Sequence, residues 1–249
     1  MSSVKIFNKG FNYSQDGAGN RLVYHLQGCN MKCGWCANPE GLPVNVESAT
    51  EDIPYKIVDT HSILKEIESS IPMFFDGGGV TFTGGEPTMQ FEALKELLEG
   101  SIAAGIHTAI ESNASHKNID KLFPFIDQLI MDFKFANDEK HLHYTGISNK
   151  QIKENFRKAF CSGKPILVRI PLINNINANE EEILEIIQFM TSSNTENAEF
   201  ELLPYHEYGK VKWEKCGKCY LIKDGFVSED KIRHLEKLFY DNNLAVRRT

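Results

Sequence analysis

The chain has 249 residues, of which 41% are hydrophobic and 24% charged, a composition that predicts a globular protein with a well-buried core. Its formal charge of −7 argues against a general nucleic-acid binder, because neutralising phosphates requires clustered lysine and arginine. No segment approaches the roughly 18 apolar residues of a membrane span, and the first residues lack the apolar core of a leader. We therefore expect a cytoplasmic protein without a membrane partner.

Apolar runs typical of β-strands alternate with amphipathic helical patterns through most of the chain, which indicates βα units around a parallel sheet. The helical patterns are clearest at Phe91, Leu94, Leu97 and Leu98, at Ile183, Leu184 and Ile187, and at Ile232, Leu235, Leu238 and Phe239. The polar segment 43–55 is predicted to be an exposed loop. The predicted strands are 22–26, 80–83, 108–111, 128–132, 166–170 and 199–203.

Six βα units are two fewer than a closed eight-stranded barrel contains. The predicted fold is therefore α/β, an open partial (βα)6 barrel with the helices outside. With no linker visible, we expect one domain over residues 1–249. Functional groups of such folds lie at the C-terminal ends of the strands, so unusual residues should gather where the predicted strands stop.

Three cysteines, Cys29, Cys33 and Cys36, follow the first predicted strand with the spacing C-x3-C-x2-C. Three thiolates on a short loop can hold three irons of a [4Fe–4S] cluster and leave the fourth iron open to chelate a substrate. A structural zinc site is the alternative, but it needs four ligands, and the next cysteine, Cys161, is far along the chain. Recruitment of Cys161 or of a histidine leaves that alternative open.

The cysteine loop resembles the signature of the radical S-adenosylmethionine superfamily, C-x3-C-x-aromatic-C, with Trp35 in the aromatic position. The resemblance implies that the open iron binds the amino and carboxylate groups of S-adenosylmethionine. It also implies that an electron from the cluster breaks the S–C5′ bond and generates a 5′-deoxyadenosyl radical. Trp35 would then lie beside the adenine, although a packed aromatic residue is the alternative.

The second predicted strand leads into Thr83-Gly84-Gly85-Glu86-Pro87. The two glycines let the backbone approach a ligand closely, and the Glu86 carboxylate can accept from an ammonium group. An ordinary Gly-Gly turn is the alternative. By the resemblance, this run corresponds to the superfamily's GGE motif, which binds the methionyl amino group.

Charged or polar residues follow four further strands, and one convergent site would explain them together. Cofactor binding requires a cation for the methionyl carboxylate, acceptors for the ribose hydroxyls and an imidazole near the nucleoside. We assign Lys134 and Arg169 to the carboxylate, Glu111 and Ser112 to the ribose, and His206 to the nucleoside. For His206 the alternative is a structural role, which is common for a single histidine at a strand end. For the whole set the alternative is a non-enzymatic metal-binding module, but that would leave the polar residues at the strand ends unexplained.

Longer runs resemble the glycyl-radical-enzyme activating enzymes, most closely those of pyruvate formate-lyase: 77–90, 105–113, 131–134, 146–149 and 201–213. The resemblance implies transfer of a hydrogen atom from a glycine of a partner glycyl radical enzyme to the 5′-deoxyadenosyl radical. It implies flavodoxin or ferredoxin as the reductant, and a monovalent cation framed by Glu111, Ser112 and Asp132. It also adds Asp16 to the three cysteines as a candidate catalytic residue.

Three departures from that family concern the substrate. Asp16-Gly17-Ala18-Gly19-Asn20-Arg21 stands where D-G-P-G-I-R is usual, and Cys36-Ala37-Asn38 stands where C-H-N is usual. Both regions are expected to meet the partner's glycine loop. The third departure is the pair Cys216 and Cys219, which is either without function, part of a second cluster with Cys161, or a hydrogen donor in a radical epimerase or dehydrogenase acting on a small molecule or peptide.

Overall fold

A computed structural model describes residues 2–43 and 53–248, and most of the predicted loop 43–55 lies outside these residues. The strands are β1 Ser3–Tyr13, β2 Asn20–Leu26, β3 Lys56–Asp59, β4 Gly79–Gly84, β5 Thr108–Ser112, β6 Gln128–Asp132, β7 Ile166–Leu172 and β8 Ala198–Pro204. The helices are α1 Thr60–Ser69, α2 Phe91–Ala103, α3 Asp138–Thr145, α4 Lys150–Phe160, α5 Glu180–Thr191, α6 Lys210–Lys215 and α7 Glu229–Asp241.

One eight-stranded sheet organises the described residues, in the order β3-β1-β2-β4-β5-β6-β7-β8. From β2 onward the neighbouring strands pair in parallel, and all six are the strands predicted from the sequence. β1 and β3 were missed; they add an antiparallel edge beside β2. The two edge strands, β3 and β8, do not pair with each other, so the predicted open partial barrel is confirmed.

β1 escaped prediction because only its first half alternates between buried and exposed side chains. Val4 and Ile6 are buried, whereas residues 8–11 are all exposed. The strand is held by its pairing with β2 and β3 rather than by its own hydrophobic pattern. Such long-range pairing leaves little signal in a local window of sequence.

The three predicted helical patterns correspond to α2, α5 and α7. In α5, however, Leu184 was wrongly placed on the buried face, because its side chain is 46% exposed. The buried face of α5 runs instead through Ile183, Ile186, Ile187 and Met190, which recur at helical spacing. Four helices begin at an Asp, Asn or Ser whose side chain accepts from a backbone N–H of the first turn, which places their starts.

The topology determines where a site can form. Parallel strands joined by helices all finish at the same edge of the sheet, so β2, β4, β5, β6, β7 and β8 bring their following residues together. The middles of these strands are buried, as Phe82 and Ile110 illustrate. Within the described part of the chain, no helix is long and apolar enough to cross a bilayer.

Candidate functional site

A cavity of about 240 Å³, partly open to solvent, lies at the C-terminal edge of the sheet. The cysteine loop, which we define as residues 28–38, forms one part of its wall, and the residues at the ends of β4 to β8 form the rest. Eleven of the fourteen site residues predicted from the sequence line it: Cys29, Cys33, Trp35, Cys36, Gly84, Gly85, Glu111, Ser112, Asp132, Lys134 and His206. Asp16, Glu86 and Arg169 are not in the lining.

The backbone of the cysteine loop is tied to three other parts of the molecule. Its Gly28 N–H donates to the Gly41 carbonyl at 2.8 Å, and its Lys32 N–H donates to the carbonyl of Thr145, at the end of α3, at 2.8 Å. On the far side of the loop, the indole N–H of Trp213 donates to the Cys36 carbonyl at 2.9 Å. Hydrogen bonds to three other segments of the chain therefore help to hold the loop in place.

Backbone and amide groups approach the sulfurs of this loop. The Met31 N–H lies 3.4 Å from Cys29 Sγ, the Asn38 N–H lies 3.4 Å from Cys36 Sγ, and Asn113 Nδ2 lies 3.8 Å from Cys29 Sγ. Hydrogen bonds of this kind stabilise thiolates that ligate iron. Asn113 was not predicted as a site residue; its place directly after Ser112 was the available signal.

Burial raises the pKa of Cys29 and of Cys36 to about 12, and it also raises the pKa of Cys33. The thiols are therefore neutral until a cation displaces their protons. A bound iron centre supplies that positive charge, because a thiol that coordinates a metal is deprotonated.

The zinc alternative requires ligands that converge on one ion. A tetrahedral zinc with Zn–S bonds of roughly 2.3 Å holds its sulfurs about 3.8 Å apart. Among residues 2–43 and 53–248, no three His, Cys, Asp or Glu side chains are grouped closely enough to hold one metal ion. Three sulfurs spread along a cavity wall fit a larger iron–sulfur body better than a single zinc.

Gly84 and Gly85 are required by close backbone packing. A Cβ at Gly85 would lie 2.4 Å from the Gly28 carbonyl oxygen and 2.5 Å from that of Gly41. Gly84 has φ +124°, and a Cβ there would lie 2.3 Å from the Leu26 nitrogen. Gly84 therefore lets the end of β4 pack directly on the end of β2, and Gly85 lets it pack on the cysteine loop. Both glycines line the cavity.

Glu86 is fully buried, and protein donors surround its carboxylate. It accepts from the Asn113 N–H at 2.6 Å, from Ser112 Oγ at 2.9 Å, and from the N–H and hydroxyl of Thr88 at 3.1 and 2.5 Å. Burial raises its pKa, and these four donors oppose the shift. In this structure the carboxylate joins the end of β4 to the end of β5.

Lys134, which is buried, and Asp132, which is partly exposed, form an ion pair at the end of β6. The Lys134 ammonium lies 2.8 Å from Asp132 Oδ2, and both residues line the cavity. Burial opposes the charge on Lys134, but the Asp132 carboxylate and the Cys33 sulfur outweigh it and raise the pKa of Lys134. A permanent cation therefore stands close to the cysteine sulfurs.

Arg169 of β7 lies behind the cavity between two carboxylates. Its Nη1 is 2.6 Å from Glu111 Oε1, and its Nε is 2.7 Å from Glu201 Oε2. Burial, together with the Asp16 and Asp132 charges, raises the pKa of Glu111, although Arg169 opposes the shift. Burial disfavours the charged form of Arg169, but the two glutamates more than compensate and raise its pKa. The guanidinium orients Glu111 instead of facing the cavity.

Asp16 lies in the turn between β1 and β2, outside the cavity lining. Its side chain accepts from Asn12, and its backbone carbonyl accepts from Thr81 Oγ1 at 2.7 Å. The preceding carbonyl, that of Gln15, accepts from the Arg169 guanidinium. The turn is thus linked to the strands that build the site.

Trp35 and His206 stand on different parts of the cavity wall. Trp35 packs against Phe135 and Tyr144, with ring centroids 6.3 and 6.2 Å apart. His206 follows β8 and stacks on Tyr208 at 4.3 Å, and burial lowers its pKa, so the imidazole is neutral at pH 7. Both present aromatic surface to the cavity.

The hypothesis of a second cluster shared by Cys161, Cys216 and Cys219 is contradicted by the topology. Cys161 ends α4, which leads into the start of β7, whereas Cys216 ends α6, which follows the end of β8. β7 and β8 pair in parallel over seven residues, so the two ends are about 20 Å apart. The three cysteines therefore lie at opposite edges of the sheet.

Comparison with known proteins extends the description of the site. Residues 23–190 match the family model described as the Radical SAM superfamily. A 4-hydroxyphenylacetate decarboxylase activating enzyme of Clostridioides difficile (strain 630) is 32% identical, over 92% of this chain and 91% of the relative. A pyruvate formate-lyase-activating enzyme of Staphylococcus epidermidis is also 32% identical, over 84% of each chain.

Among solved structures, a domain of the pyruvate-formate lyase-activating enzyme from Bacteroides vulgatus is similar in fold and sequence. It superposes with a TM-score of 0.58 and 28% identity, over 68% of this chain and 98% of that domain. The family match includes the cysteine loop and β4 to β7, and it ends before β8.

Proposed function

The chain belongs to the radical SAM superfamily, and we propose that it is an activating enzyme that generates a radical on a glycine of a partner glycyl radical enzyme. The observation that carries the proposal is the identity of 30–32% with activating enzymes over 84–92% of this chain. Eleven predicted site residues that gather in one cavity support it.

Cys29, Cys33 and Cys36 would hold a [4Fe–4S] cluster. When bound, the cluster supplies the electron that breaks the S–C5′ bond of S-adenosylmethionine. The chain contributes a loop that is already positioned, hydrogen bonds to the sulfurs and a nearby ammonium group on Lys134. The hydrogen bonds and the ammonium group favour the thiolate form of the cysteines that iron requires.

Binding of S-adenosylmethionine falls to the residues at the strand ends. Lys134 is suited to the methionyl carboxylate, because its ammonium is buried and charged beside the cavity. Trp35 and His206 are suited to the nucleoside, and Glu111 and Ser112 to the ribose.

The Glu86 carboxylate is already hydrogen-bonded to protein donors. The methionyl amino group would therefore bind mainly to backbone groups of Gly84 and Gly85, which line the cavity. Arg169 would not contact the methionyl carboxylate directly. It would act only by orienting Glu111, with which it forms an ion pair.

A monovalent cation near Glu111, Ser112 and Asp132 is also part of the proposal. Three carboxylates on β5, β6 and β8 meet two cations, since Arg169 pairs with Glu111 and Glu201 while Lys134 pairs with Asp132. The surplus negative charge, largely buried, favours one further cation. A monovalent ion would balance it.

We propose that Asp16 acts near the partner's glycine. The turn that carries Asp16 is hydrogen-bonded to Thr81 and to Arg169, which belong to strands of the site. Flavodoxin or ferredoxin remains the proposed reductant. We also propose that the enzyme functions under anaerobic conditions in the cytoplasm, because its cluster is sensitive to oxygen. The partner's glycine must reach the C5′ carbon, which requires an open cavity mouth.

Anaerobic reconstitution with iron and sulfide tests this function. We expect about four irons per chain, release of 5′-deoxyadenosine with dithionite and S-adenosylmethionine, and a glycyl EPR doublet in the glycyl radical enzyme of the same organism. Cys33→Ala, which removes one buried sulfur from the cavity wall, should abolish both products, whereas Cys161→Ser should abolish neither. Consumption of S-adenosylmethionine only with a small molecule, without a doublet, would overturn the proposal.

A further inference from the structure

An exposed apolar surface follows β8 beside the cavity. We define the rim surface as Tyr208, Val211, Leu221 and Phe226, which are 79%, 60%, 76% and 60% exposed. Tyr208 and Leu221 have the highest exposure among the large hydrophobic side chains that the structure describes as exposed. Exposed apolar side chains concentrated in 19 residues mark an interaction site more often than scattered ones do.

The rim surface is continuous with the cavity mouth. Tyr208 stacks on His206 with ring centroids 4.3 Å apart, and Phe226 packs edge-on against Tyr205 at 5.1 Å. His206 and Tyr205 both line the cavity. Tyr208 and Phe226 are therefore exposed aromatic side chains in direct contact with the cavity lining.

The segment that carries the rim surface is fastened to the cysteine loop. Trp213 donates to the Cys36 carbonyl, and Lys212 Nζ lies 2.8 Å from Asn38 Oδ1 and 2.7 Å from Glu40 Oε1. The hydroxyls of Tyr205 and Tyr220 are 2.8 Å apart. A surface that is already ordered loses less conformational entropy when a partner binds.

Charge distinguishes this segment from the rest of the chain. Residues 209–223 contain five lysines and one glutamate, in a chain whose formal charge is −7. Lys212 and Lys210 pair with Glu40 and Glu207, whereas Lys215 and Lys223 are exposed beside the apolar side chains. A complementary partner face would be apolar at its centre and acidic at its margin.

We infer that the rim surface is the docking site for the partner glycyl radical enzyme. The inference rests on the proposed function: the partner's glycine must enter the cavity, so the partner must cover the mouth that Tyr208 and Phe226 border. An electron carrier has no need to cover this mouth. Exposed aromatic side chains on a rigid base are typical anchors of such interfaces.

The test uses the full-length reconstituted enzyme and the glycyl radical enzyme of the same organism, with dithionite as reductant so that no electron carrier takes part. The double variant Tyr208→Ser with Leu221→Ser is compared with Leu184→Ser with Tyr240→Ser. The control pair has the same residue types, 46% and 57% exposed, on the outer helices α5 and α7. The readouts are the Kd for the partner and the glycyl radicals formed per 5′-deoxyadenosine released.

We expect the rim variant to raise the Kd roughly tenfold or more and to lower the ratio of radicals to nucleoside by a similar factor, with the control pair equal to wild type. The charge-reversed variant Lys215→Glu with Lys223→Glu should slow association and weaken its salt dependence, compared with Lys121→Glu with Lys164→Glu. The charge variants keep the apolar side chains, so they test the surface even if the first variant folds poorly.

Wild-type values of Kd and ratio in both rim variants would overturn the docking site while leaving the proposed function intact. A loss seen only when flavodoxin or ferredoxin replaces dithionite would also overturn it, because the surface would then serve the electron carrier. Absence of a doublet with the wild-type enzyme would instead refute the proposed function, and the docking site with it.

Discussion

The strand-end site and the rim surface handle charge in opposite ways. Behind the cavity, Arg169 is 7% exposed and held between Glu111 and Glu201; in the cavity wall, Lys134 is 8% exposed and paired with Asp132. On the rim, Lys215 and Lys223 point their charges at solvent beside exposed apolar side chains. The charged groups of the first region are paired and largely buried, so their positions are fixed and they can orient a reactive cofactor. Those of the second region are exposed to solvent, so they can contact a macromolecule.

The largest expected effect lies in the buried ion pairs. Arg169→Met leaves Glu111 and Glu201 without their shared guanidinium partner, so the free energy of unfolding should fall by about 3–5 kcal/mol. Chemical denaturation of the wild type and the variant measures this. If the charges at the strand ends behaved like surface pairs, the loss would be under 1 kcal/mol, and the contrast between the two regions would be wrong.

Arg233→Met is the matched control for that variant. Arg233 pairs with Asp230 on α7 at 3.0 Å, but its side chain is 60% exposed and that of Asp230 is 94% exposed. Solvent screens such a pair, so we expect a change within about 0.5 kcal/mol.

An intermediate effect should appear where the two regions meet. Trp213→Phe keeps an aromatic ring but removes the N–H that donates to the Cys36 carbonyl. The loss of one hydrogen bond should destabilise the contact by about 1 kcal/mol and speed amide exchange in residues 36–38. Trp213→Leu, which removes the ring as well, should speed exchange further. Unchanged exchange in both variants would mean that the cysteine loop is held independently of α6.

The smallest effect is expected at Cys216 and Cys219. Their distance from Cys161 along β7 and β8 rules out the shared cluster, so Cys216→Ser and Cys219→Ser should keep about four irons per chain and unchanged release of 5′-deoxyadenosine. Iron analysis and nucleoside chromatography measure both. A fall in iron in either variant would restore a ligand role for this pair, and lost turnover with full iron would restore the hydrogen-donor hypothesis.

Much of the fold and the cavity could be predicted because their signals are local. Apolar periodicity located all six parallel strands, and the spacing of Cys29, Cys33 and Cys36 located the loop that the structure places on the cavity wall. Residues directly after strands, such as Asp132 and Lys134, were found because parallel strands end at one edge. β1 and β3 were missed because their pairing is long-range.

The same local signals could not show which partners a side chain meets when those partners are distant in the sequence. Glu86 looked available for an ammonium group, but Ser112 and Asn113, 26 and 27 positions later, occupy its carboxylate. Arg169 looked like a cavity cation, but it meets Glu111, 58 positions earlier, and Glu201, 32 positions later. The type of a residue and its position after a strand do not reveal which neighbouring side chain it will pair with.

By itself the sequence determined the six parallel strands, three of the helices, the cysteine loop and the edge of the sheet at which a site forms, because each depends on spacing along the chain. Only the tertiary structure decided which polar groups face the cavity, which are consumed in joining one strand to the next, and that the segment after β8 returns to the cysteine loop through Trp213 and Lys212. The physical reason is that a buried charge or hydrogen-bonding group must be paired, and its partner is chosen by distance in space.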